Sequence, residues 1–465
     1  MRLEAKSVQE YVDRSLPVIA AVATFLILIL PDLAPALSDR EGYVWSPVNA
    51  LQWQIGDMYY YAAWVREAHQ GSIPPINPTA GELADRPSIE VMKSASIIMA
   101  AVPTLFFSDF RVGLLVSYGL FPALTMLAGY FVARSFTTSR FLATLAAFTM
   151  PFFYMVLLKS GLENIELARW QNFNLPDEIS SSFRFVNSSV AFFISIVFVL
   201  LLLGLARTDT RPRLRIAAVV AAGLVVGFSY PPQAAAVYLF MGFYAVCLFA
   251  VGLRRPGLRV LMSGLTIVVI LLLIDYKGIV AGAAANTQFF SGIFSAGETL
   301  PALWTRDGFV RVFAKLFDDL AIKRAFFNFA FFGVIGGLVV RRRPGDLAAV
   351  LALCAAAAAF LVACLITDNK LYPLRFLGRG LAPIWYLIVF TVILDRARIN
   401  AEGLYRRVAS PAYRTRMAPA APWLKYIAVL VVLAFPINSF ARHGDCSDHS
   451  AHFWAGRGKP AQCCG

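Results

Sequence analysis

The sequence predicts an all-α, polytopic membrane protein, and three observations carry that prediction. The chain has 465 residues, 58% hydrophobic and 15% charged, whereas soluble domains run near half apolar and about one quarter charged. Apolar runs of roughly 18–22 residues recur from end to end, each long enough as a helix to cross a hydrocarbon layer about 30 Å thick. The alternating segments of about 10 residues that would mark a membrane β-barrel are absent from the sequence.

The net charge of +14 is not a nucleic-acid signature. Lys and Arg collect in cytoplasmic loops because such segments resist translocation, and basic surfaces there meet anionic lipid. Membrane lipid is therefore an expected partner and nucleic acid is not. No internal repeat and no low-complexity tail is seen.

In chain order, residues 1–15 are polar, with Arg2, Lys6 and Arg14, and form a cytoplasmic amino terminus. Residues 16–37 form a first span, read as a retained anchor because no A-x-A cleavage site precedes a soluble domain. Residues 38–111 are an outer loop, and 112–440 a helix bundle with spans near 112–134, 141–158, 188–206, 214–231, 234–252, 258–275, 325–340, 346–366, 380–395 and 423–440. Residues 441–465 form an outer tail.

The apolar stretch 91–107 fits either a span or interfacial helices of the first loop, and sidedness decides. With 91–107 not crossing, the links RSFTTSR, ARTDTRPRLR, LRRPGLR, RRRPGD and 396–422 share the inner side, with about three times the basic density of the outer segments. With it crossing, those links would face outward. The expectation is about 11 spans in a bacterial-type inner membrane, amino terminus cytoplasmic and carboxyl terminus periplasmic.

Cys247, Cys354 and Cys364 fall in apolar spans, where a thiol acts as a small hydrophobe. Cys446, Cys463 and Cys464 lie in the tail with His443, Asp445, Asp448, His449 and His452. The expected arrangement is a polar end with one disulfide, from Cys446 to Cys463 or Cys464. A metal site in this tail is the alternative, although the spacing fits no standard zinc pattern and no ligands are assigned.

The best candidate for chemistry is residues 55–71, IGDMYYYAAWVREAHQG. Ile55, Tyr59 and Trp64 predict a short helix starting near Gly56–Asp57, with one apolar face resting on the membrane. A carboxylate at a helix start meets the positive end of the dipole and stays ionised, as a general base must. Tyr60, Tyr61 and Trp64 supply aromatic surface for a substrate. No P-loop, dinucleotide fingerprint, H-E-x-x-H or G-x-S-x-G is present, so nucleotide and hydrolase classes have no support.

This stretch resembles the acidic motif D-x-x-x-Y-x-x-x-A-R-x-x-x-x-G of the GT-C superfamily of membrane glycosyltransferases. Asp57, Tyr61, Arg66 and Gly71 match it, and Val65 stands in the alanine position. Arg86–Pro87 is similar to the family's basic entry to its interfacial helices. GYFVARSFTTSRFLATLAAFTMP, closing on Pro151, resembles its span, basic turn and span. The likeness covers roughly the first 230 residues.

The resemblance implies a donor sugar on polyprenyl phosphate and a glycan, lipid or protein acceptor in the envelope. Transfer would be inverting, with Asp57 as general base; the family's second acidic residue would correspond to Glu163 or Glu166, neither in a clean motif. Arg86, Lys159, Arg184, Arg375 and Arg379 are candidates for the donor phosphate, because guanidinium and ammonium groups stabilise charge growing on a leaving phosphate. Some relatives use a metal, so a divalent cation stays open as a cofactor. The large outer domain of oligosaccharyltransferases has no counterpart, and the likeness is to the smaller single-subunit bacterial enzymes.

Two other classes remain. A lipid or polysaccharide flippase or transporter would carry ionisable residues inside spans, for which Asp275 and Lys277 are the only hints. A polysaccharide polymerase would use one large late loop, and 276–324 has Glu298, Arg306, Asp307 and Arg311. GFSYPPQ, residues 227–233, places two prolines where a helix must end, with Tyr230 and Gln233 beside them as candidate pocket groups.

Overall fold

The computed structural model describes residues 2–37, 55–72, 94–153, 189–285, 305, 310, 314, 320–340, 343–366 and 376–408. Among them the regular structure is helical throughout, with no strand. In chain order the elements are α1 (Arg2–Leu37), α2 (Ile55–His69), α3 (Ser94–Ala101), the 3-10 helix η1 (Val102–Phe106), α4 (Phe110–Arg134), α5 (Arg140–Phe153), α6 (Ser189–Arg207), α7 (Pro212–Gly227), α8 (Pro231–Ala250), α9 (Arg254–Ala285), α10 (Leu320–Val339) and α11 (Pro344–Ile366). The π-helix π1 (Phe376–Leu381), α12 (Ala382–Trp385), the π-helix π2 (Tyr386–Phe390) and α13 (Thr391–Val408) follow without a break.

Six helices are long and apolar enough to cross a bilayer among the described residues: Asp13–Leu30, Phe110–Arg134, Ser189–Arg207, Pro232–Ala250, Arg254–Ile274 and Pro344–Ala363. The protein is thus a helical membrane protein. Of the other expected spans, 141–158 and 325–340 overlap the shorter apolar stretches Arg140–Met150 and Ala325–Val339, 214–231 overlaps α7, 380–395 overlaps the run from π1 to α13, and 423–440 lies outside the described residues. Helix α9 has 32 residues, about 48 Å of rise, so it runs on past the end expected at residue 275. Its side chains Leu258, Leu265, Leu272 and Leu273 are exposed, an outward apolar stripe suited to lipid.

Within the stretch 91–107, Ser94–Phe106 is a shorter apolar helical stretch and is not among the six. It forms α3 and η1, which double back on α4: the Ser117 hydroxyl donates to the Ala100 carbonyl at 2.9 Å. A Cβ on Gly113 would lie 2.5 Å from Thr104 Cα, so α4 and η1 touch backbone to backbone because residue 113 has no side chain. Asp109 caps α4, its carboxylate accepting from the Arg111 N–H at 2.8 Å, which satisfies one of the orphan donors of a helix start.

The middle of the bundle is the run from π1 to π2. Leu377, Leu381, Ala382, Leu387, Ile388 and Val389 are wholly buried, and π2 packs on α4, α5, α10 and α11. Trp385 meets Phe329 edge-on at 5.0 Å, and the Tyr386 hydroxyl lies 2.8 Å from Thr149 Oγ1. A helix buried on every side leaves no polar stripe, in keeping with its uniformly apolar sequence.

Arg207, Arg215 and Arg259 gather at one end of the bundle. Arg207 pairs with Asp346 at 2.7 Å and Arg259 with Asp209 at 2.8 Å, while Arg215 donates to the Gly204 carbonyl at 2.9 Å. At the opposite end the Ala95 N–H donates to the Phe228 carbonyl at 2.9 Å. That bond ties the start of α3 to the turn between α7 and α8, and so sets α3 at the end of the molecule away from the basic links.

Candidate functional site

Helix α2 carries the acidic motif and is fixed mainly at its far end. Its chain stops because Gly71 adopts φ +94°, a left-handed conformation open to a residue without Cβ. The Gly71 N–H then reaches the Ala68 carbonyl at 3.1 Å and the Ser72 N–H reaches Glu67 at 3.0 Å, the paired closing bonds of a Schellman stop. The glycine of the motif is therefore a helix terminator.

Just before that stop, His69 Nδ1 lies 2.9 Å from Thr104 Oγ1. The Thr104 hydroxyl gives its proton to the Ala101 carbonyl at 2.6 Å. Only lone pairs remain to face the ring, so Nδ1 is the protonated nitrogen and donates. The His69 ring also stands edge-on to Phe110 at 5.4 Å. One imidazole thus joins α2, η1 and the start of α4.

The apolar face of α2 is Tyr61, Trp64 and Val65, with 7%, 7% and 0% of their surface exposed. These join the same core as Ile97, Ala100 and Ala101 of α3, and the Tyr61 and Trp64 rings lie 5.6 Å apart. Of the face expected to rest on the membrane, Trp64 is packed against protein instead, and the side chains of Ile55 and Tyr59 lie outside the described residues. Tyr61 and Trp64 hold the helix in place from within the core rather than lining an exposed wall.

Because α2 lies along α3 and its last turn meets η1, the two helices run the same way. The first turn of α2 is directed toward the Ser94 end of α3. Asp57 has its backbone in that first turn, 12 residues before His69, or about 18 Å of helical rise. The Asp57 and Tyr60 side chains lie outside the described residues, as does that of Arg379. Glu163, Glu166, Arg86, Lys159, Arg184 and Arg375 are outside them altogether.

Where α3 begins, the turn between α7 and α8 makes a second polar locus. Tyr230 N-caps α8 in extended conformation, with Pro231 and Pro232 at the first two helical positions, as suits residues that have no N–H to leave unpaired. Gln233 follows, fully buried, and among the described residues neither its Oε1 nor its Nε2 has a hydrogen-bond partner. The buried hydroxyls of Ser96 on α3 and Ser189 at the start of α6 are likewise without one. Leaving such a group unpaired costs about 1–3 kcal/mol, and these three lie at one end of the bundle while others, such as Ser195, Tyr244, Trp385 and Thr391, lie elsewhere among the described residues.

The π1 segment closes on this turn. A Cβ on Gly380 would lie 2.4 Å from the Pro232 carbonyl oxygen and 2.6 Å from Ala236 Cβ, so only glycine allows the approach. The Arg379 backbone, one residue earlier, therefore sits against the first turn of α8. The structure thus brings the backbones of Arg379, Gln233 and Ser94 to one end of the bundle, and aims the Asp57 turn at it.

The basic end holds a polar network that sequence reading did not single out. Thr137 Oγ1 donates to Asp395 Oδ1 at 2.6 Å, and Arg398 donates to the same oxygen at 3.1 Å. Burial pulls the Arg398 guanidinium down, but its bonds to Asp395 and Glu402 outweigh that and hold it above the ordinary arginine value. Asp346 and Asp395 both line a cavity of about 10 Å³ beside Phe136, Val339 and Val392, room for one water. Both carboxylates are engaged, and the network serves to join the α4–α5 turn to α13 and α6 to α11. The Asp395–Arg398 spacing of three on one helix was the available signal.

Among the described residues no group of three or more His, Cys, Asp or Glu is placed to hold a metal. Cys247 and Cys354 are free thiols; the Cys364 side chain and Cys446, Cys463 and Cys464 lie outside the described residues. Compared with known proteins, the chain matches no family model and no curated protein.

Proposed function

We propose that the protein is a membrane glycosyltransferase that moves a sugar from a polyprenyl-phosphate donor to an envelope glycan, lipid or protein acceptor, with Asp57 as general base and inversion at the anomeric carbon. The observation that supports this reading best is the placement of the Asp57 turn. It opens a helix that is locked at its other end by His69 and Gly71 and directed toward the polar locus of Ser96, Ser189 and Gln233. Helix starts favour an ionised carboxylate, and a base must be ionised to act.

In this reading the end of the bundle away from the basic links faces the outside. The donor's hydrocarbon tail stays in the bilayer and its head reaches the Asp57 turn. Asp57 takes the proton from the acceptor hydroxyl as that oxygen bonds to the anomeric carbon, and the bond to phosphate breaks on the opposite face. General-base assistance of this kind contributes about 10²–10⁴-fold. Charge then grows on the departing phosphate, and a cation placed there stabilises the transition state more than the ground state. Arg379, next to the tight contact of Gly380 on Pro232, is our first assignment for it, with Arg86, Lys159, Arg184 and Arg375 as the other cations of the proposal.

The π-helical run Phe376–Phe390 favours a second reading, a lipid flippase or transporter, because distorted helices often mark moving or binding segments. Replacing Asp57 by Asn separates the two. The transferase reading expects transfer to fall at least about 100-fold with insertion and thermal midpoint unchanged, and one lipid-linked sugar to accumulate in cells. Unchanged envelope glycans and unchanged lipid-linked sugars in that strain would defeat it.

A further inference from the structure

We infer that Gln233 anchors a binding site for the hydroxyls of a glycosyl headgroup at the end of the bundle away from the basic links. The inference rests on the transferase reading only where the sugar is attached to a lipid phosphate. Gln233 is the third residue of a 20-residue helix, and helical side chains lean back toward the helix start. Its carboxamide is therefore directed into the turn where α7, α8, α3 and π1 meet, through the Ala95–Phe228 bond and the Gly380–Pro232 contact.

The chemistry of that turn selects the ligand class. A helix start ordinarily suits an anion because its N–H groups point outward. Here Pro231 and Pro232 have none, and the Ala234 N–H is taken by the Tyr230 carbonyl at 3.0 Å. What Gln233 offers instead is one amide oxygen and one amide NH₂, and the hydroxyls of Ser96 and Ser189 stand at the same end of the bundle, all buried and without hydrogen-bond partners among the described residues. Each of these groups taken as a whole both donates and accepts. An anion would use only the donors, and a cation only the acceptors. A sugar hydroxyl uses both.

Two sources could present such hydroxyls, the donor sugar and an acceptor glycan. The test is equilibrium binding to the full chain in lipid nanodiscs, in three sets. The probes are farnesyl phosphate, its glucosyl, mannosyl, galactosyl and arabinosyl derivatives, and the octyl glycosides of the same four sugars. Wild type is expected to bind at least one sugar-bearing probe about tenfold more tightly than its sugarless counterpart (farnesyl phosphate, or octanol for the glycosides). Gln233→Met, which keeps the side-chain length, is expected to lose that preference and keep its affinity for farnesyl phosphate. Loss confined to the lipid phosphates assigns the donor; loss confined to the octyl glycosides assigns the acceptor.

Removing an unpaired buried amide is not expected to unfold the chain; a matching thermal midpoint checks this, and Ser189→Ala provides a second, smaller change expected to weaken the same preference. A sugar preference surviving in Gln233→Met, or no preference in wild type with any of the four sugars, would overturn the inference, and the latter is also what a site holding only an ordered water gives. If the preference is lost in the variant but wild type transfers no labelled sugar, the binding site stands and the transferase reading falls.

Discussion

Thr137 and Asp395 are 258 positions apart in the chain and joined by a 2.6 Å hydrogen bond. The hydroxyl comes from the turn between α4 and α5, and the carboxylate from the start of the last described helix. Thr137 also holds the turn through its carbonyl, which accepts from Arg134 at 2.7 Å. Replacing Thr137 with Val keeps the shape and removes the donor to a nearly buried carboxylate. Asp395 retains Arg398, so the expected loss is about 1–2 kcal/mol, read as a lowered thermal midpoint in nanodiscs. An unchanged midpoint would show that the contact adds nothing net.

The pair Arg207–Asp346 supports a sharper experiment. Asp346 is 7% exposed and Arg207 23%, and the guanidinium also lies 4.5 Å from the centre of the Phe136 ring. Removing Arg207 takes the ion-pair partner from a nearly buried carboxylate. Losses of about 3–5 kcal/mol are typical for fully buried pairs, and the partial exposure of Arg207 places this one at or below the lower bound. Arg207→Met and Asp346→Leu should each destabilise. The double variant should recover most of the loss, because an apolar pair of similar volume needs no compensating charge.

Much of the bundle is legible in the sequence because length and hydropathy are local properties. The helix starting near Asp57 could be read that way, whereas 91–107 could not, since its length and hydropathy fit either reading and only the sidedness of the basic links favoured one. What α2 packs against could not: Tyr61, Trp64 and Val65 are apolar whether they meet lipid or Ile97 and Ala100. Nor could the π-helical run, whose geometry depends on Gly380 meeting Pro232, about 150 residues away. The unpaired amide of Gln233 is likewise a fact of packing, since nothing in the string GFSYPPQ says whether a partner waits across the bundle.

Gly71 and Asp57 belong to one motif but should fail in different ways. No atom lies within 4 Å of a Cβ built on Gly71, yet its φ is +94°. Gly71→Ala therefore strains the backbone without a clash, at about 1 kcal/mol. The expected result is a slightly lowered midpoint and a modest loss of transfer. Asp57→Asn should leave the midpoint alone and remove transfer. Equal effects of both on transfer, with the midpoint of each unchanged, would contradict the assignment of Gly71 as a helix stop.

Gly380 and Gly337 make the opposite comparison, space against no space. A Cβ on Gly337 meets nothing within 4 Å, whereas one on Gly380 meets the Pro232 carbonyl oxygen at 2.4 Å. In a helix interior Ala is favoured over Gly by about 0.5–1 kcal/mol, so Gly337→Ala should hold or raise the midpoint. Gly380→Ala must push π1 off the first turn of α8, and overpacking of this kind costs about 1–3 kcal/mol. Because the obstacle is backbone rather than the end of a flexible side chain, relief cannot come from a rotamer change. The displacement carries Arg379 with it, so transfer should fall further than the midpoint alone explains. A Gly380→Ala protein with wild-type transfer rate would remove Arg379 from the site.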